Sequence, residues 1–124
     1  MAHILVIDDE QGMREAMQKI LTRAGHEVSL ASNGREGLAY VTISPPDLVI
    51  TDVFMPEKDG IETTITLRKA HPHVKIIAMS GGGRASNFDF LDLAKKMGAH
   101  AALQKPVRMA DLLDQVTRLL APEP

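Results

Sequence analysis

The sequence predicts an α/β domain in which one parallel sheet is wrapped on both faces by helices. Three observations predict it. Short apolar, partly β-branched runs alternate five times with longer stretches of helical spacing, a pattern that needs parallel strands joined by right-handed crossovers. The runs Ile4-Leu5-Val6-Ile7 and Leu48-Val49-Ile50 are apolar at every position, as strands covered on both faces must be. Four of the five runs end in a polar residue suited to handling phosphate or metal: Asp8 with Asp9, Asp52, Ser80 and Lys105.

The first run ends in the acidic string Asp8-Asp9-Glu10. Met13, Ala16, Met17, Ile20, Leu21 and Ala24 then recur at the spacing of one helix face, and Gly25 suits the C-terminal stop. Glu27 to Ala31 reads as a short strand and Ser32-Asn33-Gly34 as a turn. A weaker helix to about Ile43 carries Gly37, which costs helix stability, and Ser44-Pro45-Pro46 ends it. The run from Leu48 stops at Thr51-Asp52 and gives way to the loop Val53-Phe54-Met55-Pro56-Glu57-Lys58-Asp59-Gly60. Ile61 to Ala70 reads as a helix broken by His71-Pro72-His73, and Lys75 to Ser80 as the fourth strand. After the loop opened by Gly81-Gly82-Gly83-Arg84, Phe90, Leu93, Ala94 and Met97 mark a helix face that Gly98 closes. Ala101 to Gln104 is the fifth strand, Lys105-Pro106 follows, and Met109, Leu112, Leu113, Val116 and Leu120 mark the last helix.

A chain of 124 residues, 44% hydrophobic, is one domain with enough apolar mass for a proper core. The expected domain covers 1–121, with 122–124 a short C-terminal tail or the start of a linker; the closeness of Met1 to the first strand suits a natural N-terminus. Fourteen basic and 16 acidic residues give a formal charge of −2, so there is no broad positive field for nucleic acid or an anionic membrane. Direct DNA binding by this domain is not expected. The absence of cysteine rules out a disulfide framework and a thiolate metal site, which suits a cytoplasmic location. No stretch approaches the length of a membrane span.

In an open parallel α/β sheet the carboxyl ends of the strands line the ligand crevice. Adjacent strands lie about 4.8 Å apart, so if the first and third are neighbours, Asp8 or Asp9 and Asp52 can grip one hard cation. Mg²⁺ fits best, since it takes oxygen ligands and needs only one or two carboxylates plus a phosphate oxygen; the cation also relieves the mutual repulsion of the acids. A carboxylate can accept a phosphoryl group as an acyl phosphate, and the Ser80 hydroxyl and Lys105 ammonium could then hold its oxygens. Taken singly, Asp52 could cap a turn, Asp8-Asp9 could cap a helix, Ser80 could be a turn residue and Lys105 a solvated lysine. Four such residues at four strand ends argue against coincidence.

Asp8-Asp9 after a first strand, Asp52 followed by Met55-Pro56 and Asp59-Gly60, Ser80 ending a fourth strand and Lys105-Pro106 after a fifth together resemble the receiver domain of two-component response regulators. The match runs from about His3 to Leu120. The resemblance implies a flavodoxin-like (βα)5 fold with strand order 2-1-3-4-5, a cis Lys105-Pro106 bond, and Asp52 as phosphoacceptor. It further implies Mg²⁺ (or Mn²⁺) held by Asp8, Asp9, Asp52 and the backbone carbonyl of Phe54, with Ser80 and Lys105 binding the phosphoryl group. The implied donor is a sensor histidine kinase or a histidine phosphotransfer protein, and the output an unidentified downstream protein. The expected activity is the chain's own phosphorylation, with its dephosphorylation as a second step, rather than turnover of a separate substrate.

Two departures bear on the switch. Many receivers carry Tyr or Phe three residues before the lysine; this chain has Ala102. The stretch from Ser80 to Lys105 is also a few residues longer than in common members, the excess falling near Gly81-Gly82-Gly83-Arg84, which either reorders on phosphorylation with Arg84 swinging inward or is a loop with a solvated arginine. The glycine run lacks the Gly-Lys-Ser/Thr ending of a nucleotide cradle. Phe88 and Leu91 fall off the helix stripe and are either scattered surface hydrophobes or part of a partner or dimer surface with the fifth strand and last helix. His71 and His73 lack further ligands to make a metal site. Two rivals are a degenerate receiver that only binds partners and an aspartyl-phosphate phosphatase; the latter usually needs a second acid where this chain has Phe54.

Overall fold

The computed structural model describes residues 2–53, 60–80 and 87–122, the last stretch without the side chains of 87–91. Five strands, β1 (His3–Ile7), β2 (Glu27–Ala31), β3 (Leu48–Asp52), β4 (Lys75–Ser80) and β5 (Ala101–Gln104), alternate with five helices. These are α1 (Gln11–Arg23), α2 (Gly34–Ile43), α3 (Gly60–Ala70), α4 (Asn87–Met97) and α5 (Met109–Leu120). The sheet is parallel throughout in the order β2-β1-β3-β4-β5, the flavodoxin-like arrangement. β1 therefore lies beside β3, with Ile7 level with Thr51, so Asp8 and Asp52 leave the sheet side by side. The Lys105-Pro106 bond is cis.

Strand alternation divides the core into two layers. Leu5, Ile7, Val49, Ile76 and Ala78 face α2, α3 and α4, where they meet Val41, Leu67 and Ala94. Ile4, Val6, Leu48, Ile50, Ile77 and Met79 face α1 and α5, where they meet Met17, Leu21, Leu112 and Val116. The uninterrupted apolar runs of β1 and β3 are thus explained, because each strand is covered on both sides. Two helices end as the glycines predict. Gly25 (φ 98°) and Gly98 (φ 109°) occupy the left-handed position that suits glycine, and the pairs Gly25 N–H to Thr22 O, His26 N–H to Leu21 O, and Gly98 N–H to Lys95 O, Ala99 N–H to Ala94 O close each helix in a Schellman motif.

Three sequence expectations change on contact with the fold. Leu93, assigned to the inner face of its helix, is 42% exposed, because the face that meets the sheet runs through Ala94 and Met97. Ala16 and Ala24, at the margins of the α1 stripe, are exposed as well. Gly37 is not a defect in α2: a Cβ there would overlap Ile7 Cδ1, so the glycine permits α2 to lie close against β1. Gly12 in α1, by contrast, has open space where its Cβ would be. Substituting alanine should therefore have opposite effects. Gly12→Ala should stabilise by about 0.5–1 kcal/mol through helix propensity alone. Gly37→Ala gains the same term but overpacks a fully buried isoleucine, an effect of about 1–3 kcal/mol, and should lose about 1 kcal/mol net. Urea denaturation of the two variants checks both signs.

Candidate functional site

The site forms where β1, β3 and β5 run out at one edge of the sheet. Asp8, the first residue after β1, is fully buried and its backbone N–H donates to Ala31 O (3.1 Å). Its carboxylate is divided between two partners: Oδ1 accepts from the Glu10 backbone N–H (2.9 Å), and Oδ2 accepts from Lys105 Nζ (2.9 Å). Neither Asp8 nor Asp9 caps α1; the N-cap is Glu10, without a side-chain cap bond. Both carboxylates are thereby left to the crevice. Asp52 ends β3 with 4% of its surface exposed, and its Oδ2 accepts from Lys105 Nζ at 2.9 Å.

Lys105 thus sits between two buried carboxylates at equal distance, with only 11% of its side chain exposed. Its backbone N–H donates to Ser80 O (2.8 Å), which ties the start of the segment after β5 to the end of β4. Burial pulls the ammonium pKa down, but the hydrogen bonds and opposite charges of Asp8 and Asp52 together outweigh it, so the net shift is upward from the ordinary 10.5.

Asp8, Asp9 and Asp52 each offer a carboxylate oxygen, and these oxygens lie within 4.8 Å of one another. An all-carboxylate set of this size, with one member exposed, suits a hard cation that keeps some of its water, so the residues fit Mg²⁺ or Mn²⁺. Ser80 closes β4 one residue beyond Met79, which is level with Asp52, and is buried at 7% exposure. Of the residues read from the sequence, the fold brings Asp8, Asp9, Asp52 and Lys105 together and puts Ser80 on the strand next to Asp52. Phe54, the loop Gly81-Gly82-Gly83-Arg84, and the side chains of Phe88 and Leu91 lie outside the described residues. Ala102 is partly buried against the α2–α4 layer.

Three contributors were not read from the sequence. Arg14 Nη1 donates to the Asp8 carbonyl (2.7 Å) and steadies the turn that carries both acids. Glu10 places Oε1 3.7 Å from Lys105 Nζ. Gly60, at the start of α3, donates its N–H to Val53 O (2.8 Å), and a Cβ there would overlap the Asp52 carbonyl oxygen. An acidic string and a glycine after a loop were the visible signals for the last two; the close approach that gives each a role is tertiary.

A family model described as the response regulator receiver domain matches residues 4–117. The chain is 34% identical over 119 residues to the chemotaxis protein CheY of Thermotoga maritima, covering 93% of this chain and 97% of that protein. It is 30% identical over 117 residues to sporulation initiation phosphotransferase F of Bacillus subtilis, covering 94% and 92%. With the DNA-binding transcriptional regulator NtrC of Rhizobium meliloti it shares 32% identity over 97% of its own length, but it spans only 24% of that protein. A crystal structure of a response regulator receiver domain protein from Clostridium thermocellum superposes with a TM-score of 0.87 at 36% identity, covering 97% and 94% of the two chains. Fold, strand-end acids and matched length agree, and the chain belongs to the response regulator receiver domain family of two-component systems.

Proposed function

We propose that the chain is a phosphoacceptor: Asp52 takes a phosphoryl group from a phosphohistidine on a sensor histidine kinase or histidine phosphotransfer protein. The observation that carries this reading is the lysine held 2.9 Å from two buried carboxylates, beside a third acid, at the carboxyl edge of a parallel sheet. An Asp52 carboxylate oxygen forms the bond to phosphorus as the phosphorus–nitrogen bond of the donor breaks and the imidazole leaves. Asp8, Asp9, Asp52 and the Phe54 backbone carbonyl would hold Mg²⁺ or Mn²⁺, which when bound neutralises charge on the transferring oxygens. Lys105 supplies a positive charge that is already desolvated and aimed at Asp52, and the Ser80 hydroxyl donates to a further phosphoryl oxygen.

On this reading the protein catalyses its own phosphorylation, and water attack on the phosphorus of the acyl phosphate releases inorganic phosphate and restores the free Asp52 carboxylate. The phosphorylated state shifts a conformational equilibrium that a downstream partner reads. A cytoplasmic location belongs to the same reading. The partner or dimer surface expected from the sequence is the helix of Phe88 and Leu91 together with β5 and α5. Among the described residues no helix is long and apolar enough to cross a membrane.

Borohydride reduction of the phosphorylated chain tests the site assignment, because an aspartyl phosphate is reduced to homoserine. Peptide sequencing should find homoserine at position 52. Homoserine at position 8 or 9 would move the phosphoacceptor and overturn the assignment.

A further inference from the structure

Lys105 and a bound cation would draw on the same two carboxylates, Asp8 and Asp52. The ammonium has three N–H donors; two are spent on Asp8 Oδ2 and Asp52 Oδ2, each at 2.9 Å. Asp8 and Asp52 are also two of the three acids whose oxygens converge within 4.8 Å. A divalent cation gripping them would stand against the lysine charge, and Asp8 Oδ1 is committed to the Glu10 backbone N–H, so the lysine has no second oxygen of Asp8 to fall back on. Among the described residues, Glu10 also stands within ion-pair range, its Oε1 3.7 Å from Nζ: too long for a hydrogen bond, near enough for a small swing of the flexible lysine stem to make one.

Glu10 is well placed to receive it. Its backbone is fixed by the bond to Asp8 and by its carbonyl, which accepts from the Arg14 N–H (3.1 Å), while its side chain is 67% exposed and can turn toward the ammonium without repacking the core. The geometry points to Glu10 as a positioning residue: it takes the Lys105 ammonium when a cation claims Asp8 and Asp52, and so sets cation affinity and keeps the lysine at the site. This rests on the cation-binding reading of Asp8, Asp9 and Asp52 given above.

The test is Mg²⁺ titration calorimetry on the full chain as wild type, Glu10→Gln, Lys105→Met and the double variant, without any phosphodonor. Glu10→Gln should weaken Mg²⁺ binding roughly three- to tenfold, the size of a coupling between contacting charged groups, and Lys105→Met should tighten it. In the Lys105→Met background the Glu10→Gln change should shrink to within about twofold, since its partner is gone. If Glu10→Gln weakens binding equally in both backgrounds, Glu10 acts only as general negative charge and the proposal fails; it also fails if Glu10→Gln changes nothing in the wild-type background. Wild type that binds no Mg²⁺ would instead remove the cation-binding reading, and this proposal with it. Should Lys105→Met not fold, Lys105→Gln removes the same charge.

Discussion

Lys105→Met, stripped of divalent cations, should lose about 3 kcal/mol of folding stability, the low end of what removing one partner of a buried ion pair costs. Asp8 is fully buried, Asp52 is 4% exposed and the lysine side chain 11% exposed, so the variant removes the ammonium that both desolvated carboxylates share. The magnitude is diagnostic, because an exposed ion pair is worth only about 0–1 kcal/mol. Urea denaturation in chelator measures the loss, and a value below about 1 kcal/mol would mean that water screens the site as it does a surface pair. Added Mg²⁺ should narrow the gap, since a cation that binds only the folded state stabilises it by mass action and takes over the neutralising role of the lysine.

The pH dependence has a fixed sign. The folded-state pKa of Lys105 is raised, so the stability its pairing contributes is fully present below the ordinary lysine value of 10.5 and is lost as the pH rises through the higher folded value. The difference between wild type and Lys105→Met should therefore stay level from neutral pH to that point and shrink only in stronger alkali.

Gly60→Ala should cost about 2 kcal/mol and slow phosphorylation of Asp52 as well, since overpacking against backbone typically costs 1–3 kcal/mol and nothing flexible can yield. The added Cβ would overlap the Asp52 carbonyl oxygen and crowd Val53 Cα, and the end of β3 is pinned by the Val53 N–H bond to Met79 O (2.8 Å). Helix propensity favours alanine by about 1 kcal/mol, which is too little to offset a backbone collision. Relief would come from the first turn of α3 backing away, at the expense of the Gly60 N–H bond to Val53 O. A variant as stable as wild type, with an unchanged phosphorylation rate, would show that α3 does not register the end of β3.

Local backbone chemistry is legible in this sequence, and tertiary contact is not. β2, β4 and β5 fall where the apolar runs and breakers put them, and the helix stops at Gly25 and Gly98 are local backbone chemistry. The strand order was not derivable from the runs themselves and came from the family resemblance. Leu93 departs from the expected face because a helical stripe of four apolar residues can be drawn along two adjacent faces, and only packing against the sheet picks the one through Ala94 and Met97. Gly37 and Gly60 look like ordinary punctuation in the sequence. Their purpose is the close approach of a helix to Ile7 and to the end of β3, which depends on residues thirty and eight positions away. The core of the site is legible because its residues stand at the ends of β1, β3, β4 and β5 and a parallel sheet gathers strand ends along one edge. Glu10 and Arg14 escaped because their parts depend on where Lys105 and the Asp8 carbonyl stand in space.

Phosphoryl acceptance by Asp52 can be read from the intact mass of the chain after incubation with acetyl phosphate and Mg²⁺, wild type beside Asp52→Asn. One phosphoryl adduct is expected on the wild type, absent without the cation and absent from the variant. A folded wild type that stays unmodified by acetyl phosphate and by a phosphorylated histidine phosphotransfer protein, or an Asp52→Asn variant that gains the adduct as readily as wild type, would contradict it.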